Sequence, residues 1–178
     1  VASGFYEDHR TWVFSAIEHT PEDPTRYVVS ASEFQMNGQP DAGRVTLAAI
    51  PPPPYPRAVW EQLLKVALQL DMRVEYTEWT LAAVSTFPDD PAIALHGVNA
   101  ALLAGDPTTA IARSGPVANS PFCGELWSIL SRWARSAPAD PARDAVLRTA
   151  RELPCRDRTA EHAPPSVSPV SGTTGAGR

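Results

Sequence analysis

Four histidines, two cysteines, one lysine and several neighbouring carboxylates are the side chains of this 178-residue chain whose types and spacing could do chemistry. His9, His19, His96 and His162 show no metal-ligand spacing, and no G-x-S-x-G, G-x-G-x-x-G or H-E-x-x-H occurs. His9 beside Asp8 and His19 beside Glu18 flank a predicted strand whose rise sets the two clusters roughly 30 Å apart, too far to share a metal. His96 falls one helical turn from Ala92 and from Ala100, and reads as a hydrogen-bonded histidine at a core boundary rather than a general base. The acid pairs Glu7-Asp8, Glu22-Asp23 and Asp89-Asp90 are adjacent, so their side chains diverge in strand or helix. Acid–base dyads converge from separate elements instead.

Lys65 is the only lysine among 15 basic residues. No glycine precedes it, which excludes a P-loop, and any Schiff-base chemistry would have to use this one amine. Glu61 stands four residues earlier, the favourable orientation for a helix-surface ion pair, so Lys65 is expected to be a solvated charge. Cys123 and Cys155 are 32 apart and form no C-x-x-C. A bridge between them would require the chain end to fold back, and a reducing cytoplasm opposes it; two free thiols are expected, Cys123 half-buried and Cys155 facing solvent. No catalytic group, metal or cofactor emerges, and the chain reads as leaning away from an enzyme.

The elements that must position these residues follow from composition and period. With 43% apolar and 20% charged residues, the chain has ordinary globular composition, for one domain or two small packed lobes. Nineteen prolines are the outlier, about twice the usual share. The arginine-for-lysine bias reads as codon composition of a high-GC bacterial genome, and Val1 as a literally translated start codon. Glu7, Asp8, His9, Arg10 and Glu18 occupy the place of a signal peptide's apolar segment, and the longest uncharged helical stretch, 91–105, is too short to span a bilayer. Cytoplasmic localisation is the expectation.

Residues 11–17, 26–34 and 44–50 alternate with period two, through Trp12 and Phe14, then Tyr27, Val29 and Ala31, then Val45, Leu47 and Ala49. With Asn37-Gly38 supplying a reversal, they predict an antiparallel β-meander. The prolines at 51–54 and 56 form a rigid connector, 57–70 has a helical period, and 73–77 reads as a fourth strand with Val74 and Tyr76 inward. A short helix over 79–86 is a further candidate. Asp90-Pro91, Asp106-Pro107, Ser120-Pro121 and Asp140-Pro141 each place a capping residue before a proline and mark four helix starts. The predicted fold is therefore α+β: a β-β-β-α-β lobe over 1–87, a helical lobe over 88–154 and a disordered Pro/Ser/Gly-rich tail over 155–178.

Residues 1–131 carry six arginines, one lysine and 15 acids, net −8, and residues 132–178 carry eight arginines and five acids, net +3. Arg132, Arg135, Arg143, Arg148, Arg151, Arg156 and Arg158 are the candidate contacts to a protein partner, to nucleic acid or to an anionic membrane surface. The leading expectation is a non-enzymatic accessory or interaction protein, with plasmid transfer, spread or its control as the cellular setting suggested by genomic composition. The rivals are a nucleic-acid-binding regulator using those arginines, and an enzyme with an unfamiliar site between the lobes.

Overall fold

The computed structural model describes residues 15 and 17–155. Among these residues there is no strand, and the expected β-meander is replaced by helices throughout. The elements are α1 (Pro24–Met36), α2 (Pro40–Ala48), α3 (Arg57–Gln69), α4 (Arg73–Thr86), α5 (Pro91–Leu103), α6 (Pro107–Arg113), α7 (Gly115–Ala118), α8 (Cys123–Ser136) and α9 (Pro141–Glu152). Most of the strand expected over 11–17, and the tail beyond Cys155, lie outside the described residues.

Residues 26–34 follow the helical period and not the expected alternation. Tyr27, Val28, Ala31 and Phe34 are buried, which is helical spacing, while Val29 is 48% exposed. Asp23 accepts from Thr25 N ahead of Pro24, the same start signal that marks the later helices. In α2, Gly43, Thr46 and Leu47 face inward and Val45 is 73% exposed; in α4, Tyr76, Thr80 and Ala83 are buried and Val74 is 69% exposed. The expected fourth strand and the short helix over 79–86 are thus two halves of α4. By contrast, α3 coincides with the predicted helix, and Asp90, Asp106 and Asp140 cap α5, α6 and α9 through their side chains.

The expected hairpin turn at Asn37-Gly38 is instead a helix stop. Gly38, with φ +72°, donates to Gln35 O while Gln39 donates to Phe34 O, the paired bonds of a Schellman motif. Asp71 (φ 56°) and Gly105 (φ +75°) repeat the arrangement, with Met72 donating to Ala67 O and Asp106 to Ala101 O. One turn type thereby joins α1 to α2, α3 to α4 and α5 to α6 as successive hairpins. Gly43 brings α2 close to its neighbours: a Cβ there would lie 3.0 Å from Ala31 O and 3.0 Å from Leu70 Cδ2.

Two apolar cores result. The first gathers Leu47, Trp60, Leu63, Leu64 and Tyr76 from α2, α3 and α4; the second gathers Val117, Leu126, Leu130 and Val146 from α7, α8 and α9. Helix α5 serves both, giving Ile93 and Ala100 to the first and Leu95, Val98 and Leu102 to the second. Its near-continuous apolar sequence follows from that position, because a helix packed on opposite sides has no solvent face to make polar.

The start of α5 is tied to α3 by charge. Arg57 Nε lies 2.6 Å from Asp90 Oδ2 and Arg57 Nη1 2.7 Å from Glu61 Oε2, while Asp90 also accepts from Ala92 N and Ile93 N. The hydrogen bond from Arg57 holds the Asp90 carboxyl below the ordinary carboxylate range. Asp90→Ala is expected to lower stability by about 1–2 kcal/mol at pH 7, since it removes a helix cap. Denaturant midpoints read this directly, and the difference from the parent should vanish as the pH falls through the Asp90 pKa.

Candidate functional site

The predicted basic segment is only partly available. Arg132 and Arg135 on α8, and Arg148 and Arg151 on α9, are exposed. Arg143 is half-buried and its Nε donates to Ala134 O at 2.9 Å, closing the end of α8 rather than waiting for a partner. Asp140, Asp144 and Glu152 are also exposed and interrupt the basic run. Arg156, Arg158, His9 and His162 lie outside the described residues.

The thiols differ from expectation. Cys123 and Cys155 form a disulfide, with 5.9 Å between their Cα atoms. Leu153, buried in the second core, draws the chain back across the start of α8 and brings Cys155 to Cys123. No group of residues able to hold a metal ion occurs among the described residues. No helix among them is long and apolar enough to cross a membrane.

Two concavities combine apolar walls with polar side chains. The larger, about 550 Å³, runs between α1 and α3. Val28, Val29, Ser32, Glu33 and Met36 reach it from α1 at the i, i+1, i+4, i+5, i+8 spacing of one helix face, and Val59, Gln62 and Val66 close it from α3. Its walls are mainly apolar, Met36 is 76% exposed, and Glu33 is the one charged side chain among the described lining residues. This second apolar stripe on α1 is legible in the sequence only once the segment is read as a helix.

The smaller concavity, about 180 Å³, opens between α3, α5 and α8, where the two cores meet. Glu61, Lys65, His96, Asn99 and Glu125 supply its polar groups; Leu68, Leu95, Phe122 and Ile129 supply apolar wall. The predicted Glu61–Lys65 pair is present at 2.7 Å. The Lys65 hydrogen bond is the main cause that lowers the Glu61 pKa.

His96 is held from behind. Tyr76 Oη donates to His96 O at 3.1 Å, lies 3.1 Å from His96 Nδ1, and accepts from Asn99 Nδ2 at 3.3 Å. With the hydroxyl proton on the carbonyl, the Nδ1 contact needs its proton on the ring, which leaves Nε2 as the acceptor of a neutral imidazole. Burial, and then the charge of Lys65, lower the His96 pKa to about 4, against the opposing effect of Glu61. Burial raises the Tyr76 pKa to about 12. Both groups are therefore neutral near pH 7, and His96 can accept a hydrogen bond but is a weak base. Position 96 was legible as a boundary histidine; its partner twenty residues away on another helix was not.

No family model, curated protein or solved structure matches this chain.

Proposed function

We propose that this is a non-enzymatic interaction protein that seats the apolar face of a partner's basic amphipathic helix in the groove between α1 and α3. The observation that carries the reading is the stripe of Val29 and Met36, solvent-exposed at the mouth of an apolar groove. Helix-in-groove recognition uses such a stripe, with apolar anchors one and two turns apart. Charge selects the partner's sign: residues 1–131 are net −8. The weakly basic segment over 132–178 is secondary in this reading, because acids interleave it and Arg143 is committed to α8.

The disulfide favours an oxidising compartment as the place of work, rather than the cytoplasm expected from the sequence. A setting in plasmid transfer, spread or its control is retained as the proposed context, and neighbouring genes would test it.

A fluorescein-labelled peptide helix with leucine at i, i+3, i+4 and i+7 and lysine on its other face is expected to bind saturably. Val29→Glu and Met36→Glu should each weaken it by about tenfold or more, because each removes apolar burial worth about 1–2 kcal/mol and places a charge in the groove. Both side chains are exposed, so circular dichroism and melting should stay near those of the parent. Absence of binding, or unchanged affinity in both variants, overturns the reading. Binding of duplex DNA that falls with salt and is lost on charge reversal of Arg132, Arg135, Arg148 and Arg151 would favour the nucleic-acid rival.

A further inference from the structure

We propose that the cleft between α3, α5 and α8 is a binding site for a free apolar α-amino acid, with Lys65 taking its carboxylate, Glu125 and His96 Nε2 taking its ammonium group, and the apolar wall taking its side chain. This site is separate from the α1/α3 groove and stands or falls without it.

Size sets the first limit. A cavity of about 150 Å³ lined by apolar side chains accommodates benzene, and drug-sized ligands need about 300 Å³ or more. The 180 Å³ of this cleft therefore suits a molecule somewhat larger than benzene and well below drug size, the range of valine, leucine or isoleucine. Leu68, Leu95, Phe122 and Ile129 offer such a molecule an apolar surface contributed by three different helices.

Charge sets the second limit. Glu61 is held twice, by Arg57 at 2.7 Å and by Lys65 at 2.7 Å, whereas the described ion pairs of Lys65 comprise Glu61 alone. Lys65 can pivot to an incoming carboxylate while Glu61 stays paired with Arg57, which is itself anchored on Asp90. On α8, Glu125 lines the same cleft, is exposed and takes part in no ion pair among the described residues. One transferable cation and one available anion in a single cleft match a zwitterion, and match neither a plain acid nor a plain amine as well.

The neutral groups agree with that assignment. The Tyr76 and Asn99 contacts orient the imidazole and leave Nε2 as an acceptor, suited to an ammonium N–H. Asn99 Nδ2 is engaged by Tyr76, leaving its amide oxygen as a second acceptor.

Isothermal titration calorimetry of the full chain at pH 7 tests the proposal, with L-leucine, L-isoleucine and L-valine as probes at up to about 10 mM. Saturable binding of at least one is expected. For the tightest of them, the matching carboxylic acid without the amino group and the matching amine without the carboxylate should each bind at least about tenfold more weakly. Lys65→Gln and Glu125→Gln, both at exposed positions, should each weaken it by a similar factor while retaining the parent's melting temperature. Ile129→Trp, which fills the cleft, should abolish it. No saturable heat with any of the three, equal binding of the truncated analogues, or parent-like affinity in both charge variants overturns the proposal.

Discussion

Reduction of the Cys123–Cys155 bridge, or its replacement in a Cys123→Ser, Cys155→Ser double variant, lowers the unfolding free energy by about 3–4 kcal/mol. The bridge closes a loop of 32 residues, and that is the chain entropy it removes from the unfolded state. Guanidinium unfolding with and without dithiothreitol, beside the double variant under both conditions, reads the effect. The parent should lose stability on reduction and the variant should not respond. The loss should concentrate where the bridge acts, so hydrogen exchange should accelerate in α9 and the buried end at Leu153 before it does in α3. An unchanged midpoint on reduction would show that the bridge contributes nothing to folding, and would remove the argument for an oxidising compartment.

Acidification from pH 6.5 to pH 4 costs the fold up to about 3 kcal/mol through His96 alone. The imidazole titrates near 4 when folded and near 6.5 when exposed, because burial disfavours its charged form and Lys65 adds to the penalty. Between those values the unfolded chain binds a proton that the folded chain refuses. Stability is therefore complete above the unfolded pKa, declines as the pH falls below it, and changes no further from this source once the pH is below the folded value. The groups around the ring are Glu61 and Lys65 on α3, Tyr76 on α4, Asn99 on α5 and Glu125 on α8. Urea unfolding across this range should show the decline in the parent and lose most of it in His96→Gln, which keeps polar character without titrating. Asp90 and Glu61, whose carboxyl pKa values are lowered, produce a separate loss at more acidic pH that the variant retains. A flat profile in the parent between pH 6.5 and 4 would count against a buried neutral histidine.

The helices over 91–152 were legible because capping is local. Asp90-Pro91, Asp106-Pro107 and Asp140-Pro141 act within one turn, and the structure uses all three side chains as caps. Ser120-Pro121 marks a turn, with Phe122 N donating to Ser120 Oγ, and α8 begins at Cys123. Asp23-Pro24 carries the same signal, and the alternation of Tyr27, Val29 and Ala31 competes with it. Short windows of this kind satisfy periods of two and of 3.6 at once, and only packing decides which side chains face inward. Val29, Val45 and Val74 are the positions where the two periods disagree, and all three are exposed.

By itself, the sequence determined the Glu61–Lys65 pair, three side-chain-capped helix starts and the absence of recognisable catalytic motifs, because each depends on residues within a few positions of one another. Tertiary structure alone decided that residues 26–34, 44–48 and 73–77 are helical, that α5 is shared by two cores, that Tyr76 reaches His96, and that Leu153 brings Cys155 onto Cys123. Those outcomes join residues 20 to 32 positions apart or depend on which face a neighbouring helix covers. Chain closure and burial set them, and neither quantity is expressed in local spacing.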